Sequence, residues 1–166
     1  MRIGRTKKPP ALGWVVWIAL TAILISACEQ PVPDPLDRDK VEWTTYANRA
    51  LGFRLDIPTS YDVRVDGNSV VLSDNGRTAV RVTHTDREEA RNRGLWAQVD
   101  PKEDREYGDV SGRYYVYNHW DGPSYVPTLA WVVPHKGKEL GVEFRTTEAD
   151  LNPVHERMLE SLELMG

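Results

Sequence analysis

From residue 41 onward the chain alternates apolar and polar side chains in short runs broken by turn residues. This period of two confines it to antiparallel strands with one buried face. Trp43-Thr-Thr-Tyr46 and Phe53-Arg-Leu-Asp-Ile57 carry the pattern first, and Pro58, which cannot donate to a ladder, closes the second run. Val63 and Val65 alternate before an Asp66-Gly67 turn. Residues 69–73 and 78–84 flank Asn75-Gly76, a dipeptide suited to a two-residue hairpin. Strands resume at residues 113–119, 128–133 and 139–145, the last two separated by a turn at residues 135–138.

Two segments break the alternation toward helix. Thr85-Asp-Arg-Glu88 has capping-box spacing and opens a charged stretch to about Trp96, expected as a short helix with Ala90, Leu95 and Trp96 turned inward. Gly94 within it weakens that helix. Residues 100–106 have no apolar face and read as a solvated loop, and residues 121–127 as a turn-rich loop exposing Tyr125. Asn152-Pro153 sets an N-cap before proline at the first helical position. Met158, Leu159, Leu162 and Met165 then extend a closing helix to about Leu164. The expected fold is α+β: an antiparallel β-sheet flanked by helices, an α/β/α sandwich.

Only part of the 166 residues is available to that fold, a length suited to one ordinary domain. Residues 1–27 hold Arg2, Arg5, Lys7 and Lys8 and no acid, followed by an apolar run from Trp14 to Ile25 and then Ser26-Ala27. A basic start, a short apolar stretch and small residues before a cleavage point are a secretory signal peptide. As a helix, residues 14–27 would reach about 21 Å at ~1.5 Å per residue, short of the ~30 Å hydrocarbon core. The positive end stays cytoplasmic, and the chain beyond the apolar run is carried across. With no adjacent arginine pair, a twin-arginine route is disfavoured.

Ile25-Ser26-Ala27-Cys28 resembles the bacterial lipoprotein box, in which the cysteine is diacylated before cleavage. The resemblance implies a mature N-terminus at Cys28 carrying a diacylglyceryl thioether and, in many bacteria, an N-linked palmitate-type chain, enough for durable anchoring. Cys28 is the only cysteine, so an intrachain disulfide, a cysteine zinc knuckle and a C-x-x-C redox pair are all excluded. Residues 28–40 then form an acylated cysteine and a flexible linker. Pro31, Pro33 and Pro35 favour an extended spacer of a few tens of ångströms at ~3.1 Å per residue. The folded domain occupies residues 41–166.

Tyr46-Ala-Asn48, Leu51-Gly-Phe53-Arg-Leu-Asp-Ile-Pro58 and Tyr61-Asp-Val63, with Met158-Leu-Glu-Ser-Leu162 near the end, resemble a pattern of bacterial lipoproteins of the PsbP-like superfamily. That superfamily includes the PsbP subunit of the photosystem oxygen-evolving complex and the Ran-binding Mog family. Tyr61 stands where tryptophan is usual. The resemblance implies an antiparallel sheet sandwiched between helices, and accessory or binding roles rather than catalysis. It carries over no site residue.

Reactive motifs are weak. His155-Glu-Arg-Met-Leu159 lacks the second histidine of a zincin. His119 and Asp121 share a strand face and could in principle form a metal or acid/base pair, though a solvated strand end explains them as well. Ser111 in Gly108-Asp-Val-Ser111-Gly112 falls one place late for a nucleophile elbow. Acidic pairs such as Glu88-Glu89 read as solvated surface rather than glycosidase carboxylates. Neither a glycine-rich phosphate loop nor a cofactor motif is present. Aromatics point further: alternation places Tyr115 and Tyr117 on one face and Tyr114 on the other. Trp120 and Tyr125, flanking a Pro-Gly loop, form a candidate contact patch for a protein, glycan or peptide.

The formal charge of −4 averages two unlike parts. Beyond residue 27 there are 17 basic against 25 acidic side chains, a formal −8. That balance argues against nucleic acid as a partner and against electrostatic attachment to anionic lipid. The expectation is a lipid-anchored extracytoplasmic protein, on the periplasmic side of a membrane, with a non-catalytic binding or accessory domain and no cofactor. The alternative is a small envelope hydrolase.

Overall fold

In the computed structural model, residues 40–121 and 124–166 are described. The expected signal peptide, Cys28 and the linker up to residue 39 lie outside these residues. In chain order the first strands are β1 (Trp43–Asn48), β2 (Phe53–Pro58), β3 (Asp62–Asp66), β4 (Ser69–Asp74) and β5 (Arg77–Thr85). Helix α1 (Arg87–Asn92) and a 3-10 turn (Trp96–Gln98) come next. Then come β6 (Glu103–Tyr107), β7 (Val110–Asp121), β8 (Ser124–His135), β9 (Lys138–Arg145), helix α2 (Pro153–Glu160) and β10 (Glu163–Leu164).

The larger sheet has the order β3-β4-β5-β9-β8-β7-β6 and is antiparallel throughout. β1, β2 and β10 form a second, three-stranded antiparallel sheet. On one face of the large sheet, Val80, Val82, Leu129, Trp131, Val142 and Phe144 pack against Phe53, Leu55 and Ile57 of β2 and Met158 and Leu159 of α2. On the other, Tyr115, Tyr117, Ala130 and Val132 are covered by Ala90, Leu95, Trp96 and Ala97. The protein is therefore α+β, with Tyr114 and the Tyr115/Tyr117 pair on opposite faces as parity predicts; both faces of the central strands are covered, where alternation alone predicts one, and β3 is exposed throughout. The expected single sheet is instead two, because the β1–β2 hairpin lies across the large sheet and shares its outer layer with α2.

The turns obey their chemistry. Asn75 (φ 49°) and Gly76 (φ 76°), and Lys136 (φ 48°) and Gly137 (φ 73°), place both central residues in the left-handed region, as type I′ hairpins require. Gly141 has a different role. A Cβ there would lie 2.3 Å from the Trp96 ring, so only glycine lets the indole rest on β9.

Several boundaries differ from expectation. The N-cap of α1 is Asp86, not Thr85: its carboxylate accepts from Glu89 N–H at 2.8 Å, while the Thr85 hydroxyl donates to Glu89 at 2.6 Å. Gly94 (φ 72°) lies beyond the helix rather than within it, at the left-handed turn past the C-terminus. The expected loop at 100–106 contains β6, an edge strand whose Glu103, Asp104 and Glu106 are exposed while Arg105 lies over the Tyr114 ring. The 121–127 segment is mostly strand, with Tyr125 in β8. The closing helix stops at Glu160, and β10 pairs with Arg54 and Phe53 of β2.

Candidate functional site

β7 and β8 outrun the sheet that holds them. The last β8–β9 pair is Thr128↔Arg145, yet β7–β8 pairing continues through Asn118↔Pro127, His119↔Val126, Trp120↔Tyr125 and Asp121↔Ser124. At ~3.3 Å per residue, this two-stranded ribbon projects by about 13 Å. Its root is held by the Thr146 N–H donating to Pro127 C=O at 3.2 Å and by His119 Nδ1 donating to Gly94 C=O at 3.2 Å.

Trp120 and Tyr125, the residues the sequence singles out, are brought together on the ribbon. They are directly opposed, their ring centroids 4.9 Å apart and nearly edge-to-face at 67°. They remain 56% and 67% exposed, so neither belongs to the core. Val116, four residues before Trp120 and also exposed, continues the apolar strip. The other tryptophans of the domain are spent inside: Trp96 and Trp131 are fully buried, and Trp43 is part-buried with Arg157 stacked 4.3 Å from its ring.

Histidine and acidic candidates fare differently. The His119 imidazole is occupied by Gly94, and the Asp121 side chain lies outside the described residues. Among the described residues there is no group of three or more His, Cys, Asp or Glu side chains able to hold a metal. His155 packs against Phe144 with centroids 4.5 Å apart, and burial lowers its pKa to about 4. His84 Nε2 donates to His135 C=O at 3.1 Å. Glu88 and Glu89 open α1, and Ser111 lies in β7, not at a strand-to-helix elbow.

Two buried glutamates escape the sequence reading. Glu139 accepts from Trp96 Nε1 (2.9 Å), Arg113 (2.8 Å) and Arg87 (3.3 Å). Beside Arg113, a shallow groove of about 360 Å³ is lined by Asp104, Ser111, Val132 and Pro134. Glu143 accepts from the Tyr117 hydroxyl, and burial raises the pKa of both groups. With Arg81, His119, Thr128 and Arg145 it lines a space of about 10 Å³, the room of one water molecule. The available signal was β9 itself, where Glu139 and Glu143 recur at even spacing between apolar residues. Their partners come from distant elements and are not visible in sequence.

No helix among the described residues is long and apolar enough to cross a membrane. No protein-family model and no curated protein matches the chain. The fold is nonetheless similar to solved structures. A protein from Bacteroides thetaiotaomicron VPI-5482 matches with a TM-score of 0.54 and 12% identity, over 74% of this chain and 48% of that one. This chain thus spans about half the length of that relative. Cyanobacterial PsbP (CyanoP) from Synechocystis sp. PCC 6803 matches with a TM-score of 0.46 and 16% identity, covering 75% of this chain and 93% of that one.

Proposed function

We propose that this protein is a lipid-anchored accessory protein of the cell envelope, held on the extracytoplasmic side of a membrane through Cys28, with a PsbP-like domain that binds rather than catalyses. The observation that carries the binding role is the ribbon. Its two largest exposed side chains are paired aromatics raised clear of the sheet, while the buried Glu143, Tyr117 and His155 are held in internal contacts. The pattern from Tyr46 to Val63 and the antiparallel α+β architecture support the PsbP-like reading. The basic start, the apolar run and the Ile25-Ser26-Ala27-Cys28 box support the anchor.

A small envelope hydrolase, the other reading, needs a recess that collects polar groups with displaced pKa values. The space beside Glu143 has room for one water, and the groove beside Arg113 is shallow. Detergent phase partitioning with palmitate labelling tests the anchor. The wild-type chain should enter the detergent phase and incorporate labelled palmitate, and Cys28→Ala should take up no label, although its uncleaved apolar run can still hold it in detergent. A Cys28→Ala protein labelled as strongly as wild type refutes the anchor.

A further inference from the structure

The ribbon's exposed strip has a composition that selects among partners. Strand alternation puts Val116, Asn118 and Trp120 of β7 on one face with Tyr125 and Pro127 of β8. None of these is charged, although the domain around them is strongly acidic. Tryptophan and tyrosine pair an apolar ring with a polar edge, and they concentrate where hydrocarbon meets headgroups.

The chain also enters the domain at the ribbon's end of the sheet. The register Val80↔Phe144, Phe144↔Leu129 and Leu129↔Val116 brings the start of β5, the end of β9, the start of β8 and the end of β7 to one pole. The β1–β2 turn is at the opposite pole, since Gly52 abuts His135 at the far end of β8. β1 therefore begins, at Trp43, toward the ribbon. Tyr61, three residues past Trp43's partner Pro58, agrees with this polarity: it lies within the field of Asp74, beside the β4–β5 turn. Only residues 29–40 separate this entry point from Cys28, so an acylated Cys28 would tether the domain from that pole.

We propose that the Trp120–Tyr125 face of the ribbon seats in the interfacial layer of the bilayer that holds the Cys28 anchor. The inference rests on the anchor reading and names the occupant of the contact patch. Acyl chains tether the domain, and the aromatic ribbon orients it, holding one pole of the sheet against the headgroups.

The test is tryptophan quenching in the mature chain from Cys28 onward, which holds Trp43, Trp96, Trp120 and Trp131, added at saturating lipid to phosphatidylcholine vesicles brominated high on the acyl chains, against unbrominated vesicles. Among the described residues, Trp120 is the one strongly exposed indole. Wild type should lose more emission than Trp120→Ala by roughly a quarter, the share of one indole in four. Tyr125→Ala should reduce the quenching of Trp120. Circular dichroism of both variants checks that they fold. Equal quenching of wild type and Trp120→Ala overturns the proposal and assigns the patch to a protein or glycan instead. The mass of the Cys28 peptide is read separately. A chain without acyl groups refutes the anchor, while the wild-type against Trp120→Ala difference on added vesicles still decides the ribbon.

Discussion

Replacing Gly141 by alanine should unlock the α1 side of the sheet. A Cβ at this position would stand 2.3 Å from Trp96 Cζ3 and 2.4 Å from Cη2, well inside contact distance, so ring or strand must shift. The ring cannot swing away freely. Trp96 is fully buried, and its Nε1 donates to Glu139 at 2.9 Å. Overpacking of this kind costs about 1–3 kcal/mol, and weakening a hydrogen bond to a charged acceptor adds about 1.5 kcal/mol or more. Gly141→Ala should therefore destabilise the domain by about 2.5–4.5 kcal/mol, a large fraction of a typical ~5–15 kcal/mol, and lower Tm by roughly 10 °C. Urea unfolding monitored by fluorescence measures it, with the slope unchanged if only the native state is affected. Because Trp96→Leu empties the space the new methyl needs, the two substitutions should be non-additive, with Gly141→Ala costing at least ~1 kcal/mol less in the Trp96→Leu background. A Gly141→Ala protein within ~0.5 kcal/mol of wild type, or strict additivity, would refute the packing argument.

Two further outcomes come from buried ionisable groups. His155 takes up its proton near pH 6.5 when unfolded but only near 4 when folded, so the unfolded state binds more protons between these values. Stability should fall as pH drops through that window, by on the order of 3 kcal/mol at pH 4, and His155→Phe should flatten the slope in pH-dependent urea melts; an unchanged slope would contradict its burial. Glu139→Ala should cost about 2–3 kcal/mol by chemical denaturation, chiefly from the stranded Trp96 N–H. The arginine side chains, 38% and 39% exposed, regain water and contribute little. A loss confined to low-salt buffer would instead assign the role to surface charge.

Local chemistry made much of the fold legible. Asn75-Gly76 and residues 135–138 specify hairpins through backbone conformations that few residues tolerate, and Tyr114, Tyr115 and Tyr117 sort onto faces by parity alone. Asp86 displaced Thr85 as cap because both oxygens precede the same helix and only the three-dimensional path decides which reaches Glu89 N–H. Residues 103–107 hid their strand because an edge strand with a solvated face loses the apolar alternation that marks the others. Trp120 and Tyr125 were legible as a patch but not as a pair, since their opposition depends on β7 and β8 continuing past β9. Glu139 and Glu143 were illegible as buried groups: their burial depends on Trp96, Arg113 and Tyr117 arriving from other elements.

The strand order has a consequence for how the chain reaches this state. β3, β4 and β5 are joined in sequence and in space, and so are β6, β7, β8 and β9. Each meander needs only short loops to close. They meet along the single seam between β5 and β9, which joins residues as distant in the chain as Val80 and Phe144. Closing that seam carries the largest loop entropy of the sheet, and Trp96, laid on Gly141, bridges the two halves where it closes. Folding should therefore be limited by one late docking event between two preformed meanders, with the α1 segment acting as the hinge that delivers one to the other.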